Sequence, residues 1–178
     1  KYLGNGLSLS FIDENIDLIH AEAFLDTDTR NVETLYKKLV LKDIDKRVRI
    51  DFLRLFLFDI LTRQMDRNLT NFGFYKINSY VKLYRLYDNG LSLFSSVKFN
   101  SKLEYSSVYG NSEDILRYVV RQLKNELVDK PFAGHLSIEF LDDIFKPYAD
   151  EIMQVKGTDY KDIVKWIMSM YDHILEKF

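Results

Sequence analysis

Apolar residues recur at helical spacing along most of the chain, and the polar breaks between them divide it into elements. Lys1 to Ser10 reads as a leading loop. Phe11 to Phe24 places Ile16, Leu18, Ile19 and Ala23 at helical spacing. Asp26 to Thr29 punctuates the chain and can cap a second helix over Asn31 to Leu41. After a break at Asp43 to Asp45, Lys46 to Gln64 is apolar around most of its circumference, which predicts a buried central helix.

The pattern then changes. Asn71 to Ile77 and Tyr80 to Tyr87 alternate or run apolar and aromatic around Asn78-Ser79, the signature of a β-hairpin. Asp88-Asn89-Gly90 closes it with turn chemistry. Ser95 to Asn111 lacks periodicity and reads as a long, mobile loop. Three further helices follow, over Asn111 to Val128, Leu136 to Phe145 and Thr158 to Phe178, with Pro131, Gly134, Pro147 and Gly157 at their junctions. The expected fold is mainly α with a small β-hairpin, in a single domain over 1–178.

Composition narrows the function classes. At 178 residues with 47% hydrophobic content, the chain can bury a core without covalent staples. With no cysteine, it has neither disulfides nor a thiolate metal site, which suits a cytoplasmic protein. A net charge of -2 argues against direct nucleic-acid binding. No apolar run reaches the roughly 20 residues of a membrane span, since Arg54 and Asp59 interrupt even Leu53 to Leu61. Residue 1 is Lys, so the chain is expected to be cut from a longer protein. His20, His135 and His173 lie too far apart for metal-ligand spacing and read as surface or packing residues.

The strongest chemical signal is Asp66-Arg67-Asn68-Leu69-Thr70-Asn71, followed 17 residues after Asn71 by Asp88. An Asp at the end of a rigid helix can accept the proton of an attacking hydroxyl. An Asn five residues on, and a second Asp returned by the hairpin, can hold Mg²⁺ bridging the phosphates of ATP. Hard oxygen ligands in small number suit Mg²⁺, which draws its remaining ligands from water and phosphate. Turns also select Asp, Asn and Gly without any catalysis, so it is the pairing across one hairpin that carries the signal. Arg67 reads as orienting the loop, contacting phosphate, or packing on the loop or surface. Tyr105, Tyr109 and the serines of 95–107 occupy the place of a segment that could accept phosphate or dock substrate.

The stretch Arg54 to Phe94, RLFLFDILTRQMDRNLTNFGFYKINSYVKLYRLYDNGLSLF, resembles the catalytic segment of HipA-like atypical Ser/Thr kinases. In that family an apolar helix leads to an Asp-x-His-x-x-Asn loop, and a Tyr-Asp or Phe-Asp pair opens the metal-binding segment. The resemblance implies that Asp66 is the catalytic base and that Asn71 and Asp88 are metal ligands, within a catalytic loop over 64–71 and a metal-binding turn over 88–90. Asn68 stands where the family commonly has His. The Asp-Asn-Gly-Leu form of 88–91 also looks like type II phosphatidylinositol 4-kinases.

The implied fold is the helical C-terminal lobe of a protein-kinase-like fold, and the implied cofactors are Mg²⁺ and ATP. No glycine-rich phosphate cover and no strand-lobe Lys precede Asp66, so the N-terminal lobe is expected outside this chain. Expected partners are that lobe or a chain supplying it, a protein substrate and, since many of the family are bacterial toxins, an antitoxin. A non-catalytic pseudokinase or interaction module, and a lipid kinase, are the alternatives.

Overall fold

The computed structural model describes residues 17–77, 80–84, 92–94, 98–132 and 134–178. Strand β1 (Asp17–His20) leads directly into a short helix, α1 (Ala21–Leu25). The long helix expected over Phe11 to Phe24 is therefore corrected within its described part. Residues 17–20 pair antiparallel with β2 (Gly73–Ile77), with Leu18 opposite Tyr75 and Ile19 opposite Phe74. A strand of four residues shows no usable period of its own. Backbone bonds to a partner far along the chain set its conformation.

Helix α2 (Val32–Leu41) starts at Asn31, whose side chain accepts from the Thr34 N–H; the N-cap is Asn31 itself rather than the Asp26–Thr29 run. Asp45 caps α3 (Lys46–Leu61) by accepting from the Arg47 N–H. The expected burial of α3 holds: Phe52, Leu53, Leu55, Phe56, Leu57 and Ile60 are all buried, as is Asp59. At about 1.5–3 kcal/mol per large apolar side chain, this helix contributes a major share of the core.

Strand β3 (Tyr80–Leu83) returns beside β2 with Phe74 opposite Leu83, as the hairpin pattern predicts, and β1 makes the sheet three-stranded in the order β1-β2-β3. The turn 78–79, the return end 85–91 with Asp88, and residues 1–16 lie outside the described residues.

Within the stretch expected to be a long loop, residues 98–111 end in a two-stranded ribbon, β4 (Ser106–Ser107) against β5 (Gly110–Asn111). Tyr105 is buried beside that ribbon. Asn111 then caps α4 (Ser112–Asn125) through the N–H groups of Glu113 and Asp114. Ile115, Leu116, Val119, Val120 and Leu123 form its inner stripe at helical spacing and pack on α3.

Ser137 caps α5 (Ile138–Phe145). A helix not expected from the sequence, α6 (Ala149–Lys156), follows a single turn of 3₁₀ helix and ends at Gly157, which takes the left-handed conformation at φ 63°. None of its residues is buried, which is why it leaves no apolar stripe to read. Helix α7 (Tyr160–Lys177) closes the core against α3, α4 and α5 with Ile163, Val164, Ile167, Met170, Tyr171 and Ile174. Among the described residues, no helix is long and apolar enough to cross a membrane.

Candidate active site

The end of α3 aims the catalytic-type loop. The Thr62 N–H donates to the Phe58 carbonyl at 2.9 Å, and Arg63 then turns left-handed at φ 51°. The Gln64 N–H closes back on the Asp59 carbonyl at 2.8 Å. The chain leaves the helix axis here and runs through Asp66 to the start of β2.

The loop is bonded to itself. The Asn71 N–H donates to the Asn68 carbonyl at 2.9 Å, and the Asn71 side-chain Nδ2 donates to the Asp66 carbonyl at 3.0 Å. Its amide nitrogen is thereby committed, while its Oδ1 accepts, among the described residues, a long 3.4 Å contact from the Thr70 hydroxyl. Asn68 Nδ2 donates to the Asp66 carboxylate, so the side chain two residues on holds the candidate base directly. The Asn68 Oδ1 is buried without a hydrogen-bond partner among the described residues.

Beneath the loop lies a buried ion pair. Arg67 and Asp59 side chains are 2% and 6% exposed, and Arg67 Nη2 donates to Asp59 Oδ1 at 2.8 Å while Nε reaches both carboxylate oxygens. Arg67 Nη1 also donates to the Asn71 carbonyl at 3.2 Å. Of the readings open to Arg67, the structure selects loop packing and orientation. Burial pushes the Asp59 carboxyl up to about 6, against the opposing pull of the Arg67 guanidinium.

The 105–111 segment braces the loop from the other side. The Val108 N–H donates to the carbonyl of Met65, immediately before Asp66, at 3.0 Å. The Tyr105 hydroxyl donates to the Asp59 carbonyl at 3.0 Å. Burial drives the Tyr105 and Tyr109 phenols upward, with the Asp59 charge adding to it, so both stay neutral. Tyr105 is 7% exposed, which removes it as a phosphate acceptor in this conformation.

Asp66 and Asn71 thus come together in one loop, held by α3, β2 and the 105–111 segment. Asp88 falls outside the described residues. Among the described residues no three His, Cys, Asp or Glu side chains cluster to hold a metal. A Mg²⁺ ion that takes phosphate and water as its other ligands needs only one or two protein oxygens. Among the described residues, the Asn71 Oδ1, whose amide nitrogen is bonded to the Asp66 carbonyl, is an oxygen that fits that requirement. An open depression of about 520 Å³ lies against Thr70, lined by Glu22, Asp26 and Asp28.

Two supporting residues escaped the sequence reading. Asp59 showed only as an acid interrupting an apolar helix, and its partner eight residues on gave the one available signal. Arg63 is 6% exposed, and its guanidinium lies 4.7 Å from the Phe94 ring centroid and 4.8 Å from that of Tyr105. Nothing local announces that contact. His173 takes a packing role, with its Nε2 2.8 Å from Glu113.

No protein-family model and no curated protein sequence matches the chain. Its structure is similar to that of the Helicobacter pylori proinflammatory kinase CtkA, with a TM-score of 0.51 and 11% sequence identity. The likeness covers 94% of this chain and 67% of that one. The chain has a kinase-like fold, largely helical with small antiparallel sheets.

Proposed function

We propose that this chain is the catalytic helical lobe of a HipA-like Ser/Thr protein kinase, which transfers the γ-phosphoryl group of ATP to a protein hydroxyl. The observation that carries the reading is the shared loop of Asp66 and Asn71. The Asn71 amide is locked to the Asp66 backbone, and the Asp66 carboxylate is held by Asn68. In this reading Asp66 accepts the proton of the attacking hydroxyl, while the oxygens of Asn71 and Asp88 hold magnesium. Magnesium–ATP supplies the transferable phosphoryl group and neutralises charge on the phosphates. The chain's own contribution is positioning: α3 and the buried Arg67–Asp59 pair fix where the base and the metal ligand stand. The phosphate cover and strand-lobe Lys come from residues outside this chain or from a partner chain. A role as the toxin of a toxin–antitoxin pair follows from the family resemblance.

The test is phosphate transfer from radiolabelled ATP by the full-length protein, alongside Asp66→Ala and Asp88→Ala. Both substitutions are expected to abolish labelling of protein and any growth arrest on induction. Labelling and arrest that survive both changes would overturn the reading in favour of a non-catalytic module. Label appearing in phosphoinositide vesicles instead of protein would assign a lipid substrate.

A further inference from the structure

A groove of about 1400 Å³ lies away from the candidate active site, between the N-terminal turns of α3 and the outer part of the β2–β3 hairpin. Helix α3 spans 16 residues, or about 24 Å at 1.5 Å per residue. The groove sits at its start and Asp66 beyond its end, so an occupant of one need not touch the other.

The groove's chemistry is distinct from that of the whole chain, whose net charge is -2. Six of its lining residues are cationic against three carboxylates, Asp43, Asp45 and Asp51. Of the six, Arg49 is committed to Glu126 at 2.9 Å. The other five, Lys42, Lys46, Arg47, Lys76 and Lys82, are exposed and form no ion pair among the described residues. Lys42, Lys46 and Arg47 come from the α2–α3 turn and the start of α3, and Lys76 and Lys82 from the β2–β3 hairpin, so they flank the groove from both sides. The Asp45 N-cap offsets the positive end of α3, so the groove's field rests on these side chains.

Apolar side chains also line the groove, among its charged residues. Ile44 and Val48 are buried beneath it, Val81 and Leu83 are half-buried, and Tyr80 stands 70% exposed at the rim. An apolar floor inside a charged rim is the anatomy of a peptide-docking surface. Carboxylates inside the groove oppose a polyphosphate strand, which brings a charge with every nucleotide. They tolerate a peptide whose acids are spaced to meet the lysines.

We propose that this groove docks an acidic peptide segment of a partner protein, with an apolar side chain seated on Val81 and Leu83 and carboxylates paired to Lys46, Arg47 and Lys82. Docking here recruits the partner without entering the catalytic loop, so the site acts on affinity for a protein partner and leaves the phosphoryl-transfer chemistry alone.

The experiment selects binders for the intact chain from a random dodecapeptide library and measures them by fluorescence anisotropy. Enriched peptides are expected to carry two or more carboxylates around a Leu or Phe and to weaken steeply with added salt. Binding should fall at least about tenfold in the K46E/R47E/K82E variant. Those three side chains are exposed, and an unchanged melting temperature would show that the fold is intact. A selection without acidic enrichment, or peptides that bind the variant as well as the wild type, overturns the proposal. A uridine oligonucleotide that displaces the peptides and binds more tightly than they do would assign the groove to nucleic acid instead. Self-association by sedimentation, lost in the same variant, would assign it to a second copy.

Discussion

Arg67 Nε and Nη2 both engage the Asp59 carboxylate, joining the catalytic-type loop to the interior of α3. Each side chain is almost fully enclosed, so neither can lose its partner cheaply. Arg67→Ala is expected to destabilise the fold by about 3–5 kcal/mol in urea denaturation near neutral pH. The pair also sets a pH dependence. Asp59 titrates at about 6 in the fold, above its usual 3.8, so its contribution is fully present below pH 3.8 and is lost as pH rises through 6. Arg67 opposes that upward shift, so removing it raises the folded pKa further. The stability gap between wild type and Arg67→Ala should widen from pH 5 to pH 8, and a gap constant across that range would contradict this account.

Asn68 gives a sharper test of the loop's chemistry, because it touches the candidate base without standing in for it. If the proposed phosphoryl transfer holds, Asn68→Ala in the full-length protein is expected to lower kcat by about 10–100-fold, with little change in KM for ATP. Asn68→His introduces the residue that HipA-like loops commonly carry and should retain much of the rate. Equal losses in both variants, or a loss confined to KM, would show that the Asn68 contact does not orient Asp66.

What the sequence made legible was what short-range physics encodes. The stripe of α4 behind an Asn111 cap, the all-round burial of α3 and the paired strands after Asn71 each follow from the period of their own residues. Asp66 and Asn71 were readable because five residues and a helix end fix their relative position. Strand β1 was not, because the backbone pairing that makes it a strand comes from residues 73–76. Helix α6 was hidden because none of its residues is fully buried. The bracing of the loop by Tyr105 and Val108 was equally invisible, since each bond crosses about forty residues of chain and matches no local pattern.

Gly73 marks where β1 meets β2. A Cβ added there would stand 2.5 Å from the Ile19 carbonyl oxygen and 3.2 Å from the His20 Cα, both backbone atoms that can yield only if the strand moves. Gly73→Ala is expected to cost about 1–3 kcal/mol. Hydrogen exchange should show faster amides in β1 and at Gly73, with α4 and α7 unchanged. A variant that melts with the wild type and keeps β1 protected would mean that the strand can shift at no cost.

Glu126, the C-cap of α4, ties three helices together and should set the protein's response to acid. It accepts from Arg49 Nε at 2.9 Å and Nη2 at 3.2 Å, and from the Tyr36 hydroxyl of α2. Arg49 Nη1 meanwhile donates to the Ile44 carbonyl at 2.7 Å. Burial raises the Glu126 pKa, but the hydrogen bonds from Arg49 and Tyr36 outweigh it and hold the carboxyl below 4.5. Burial and the same carboxylate push the Tyr36 phenol up to about 12, so it remains a donor throughout the working range. A depressed carboxyl contributes stability above its unfolded pKa and loses it as pH falls through the folded value. Glu126→Gln is therefore expected to cost about 1–3 kcal/mol at pH 7, with the deficit shrinking as pH drops below 4.5. Urea midpoints measured from pH 7 down to pH 3 check this, and a deficit that stays level or grows in acid would place the protein's acid sensitivity elsewhere.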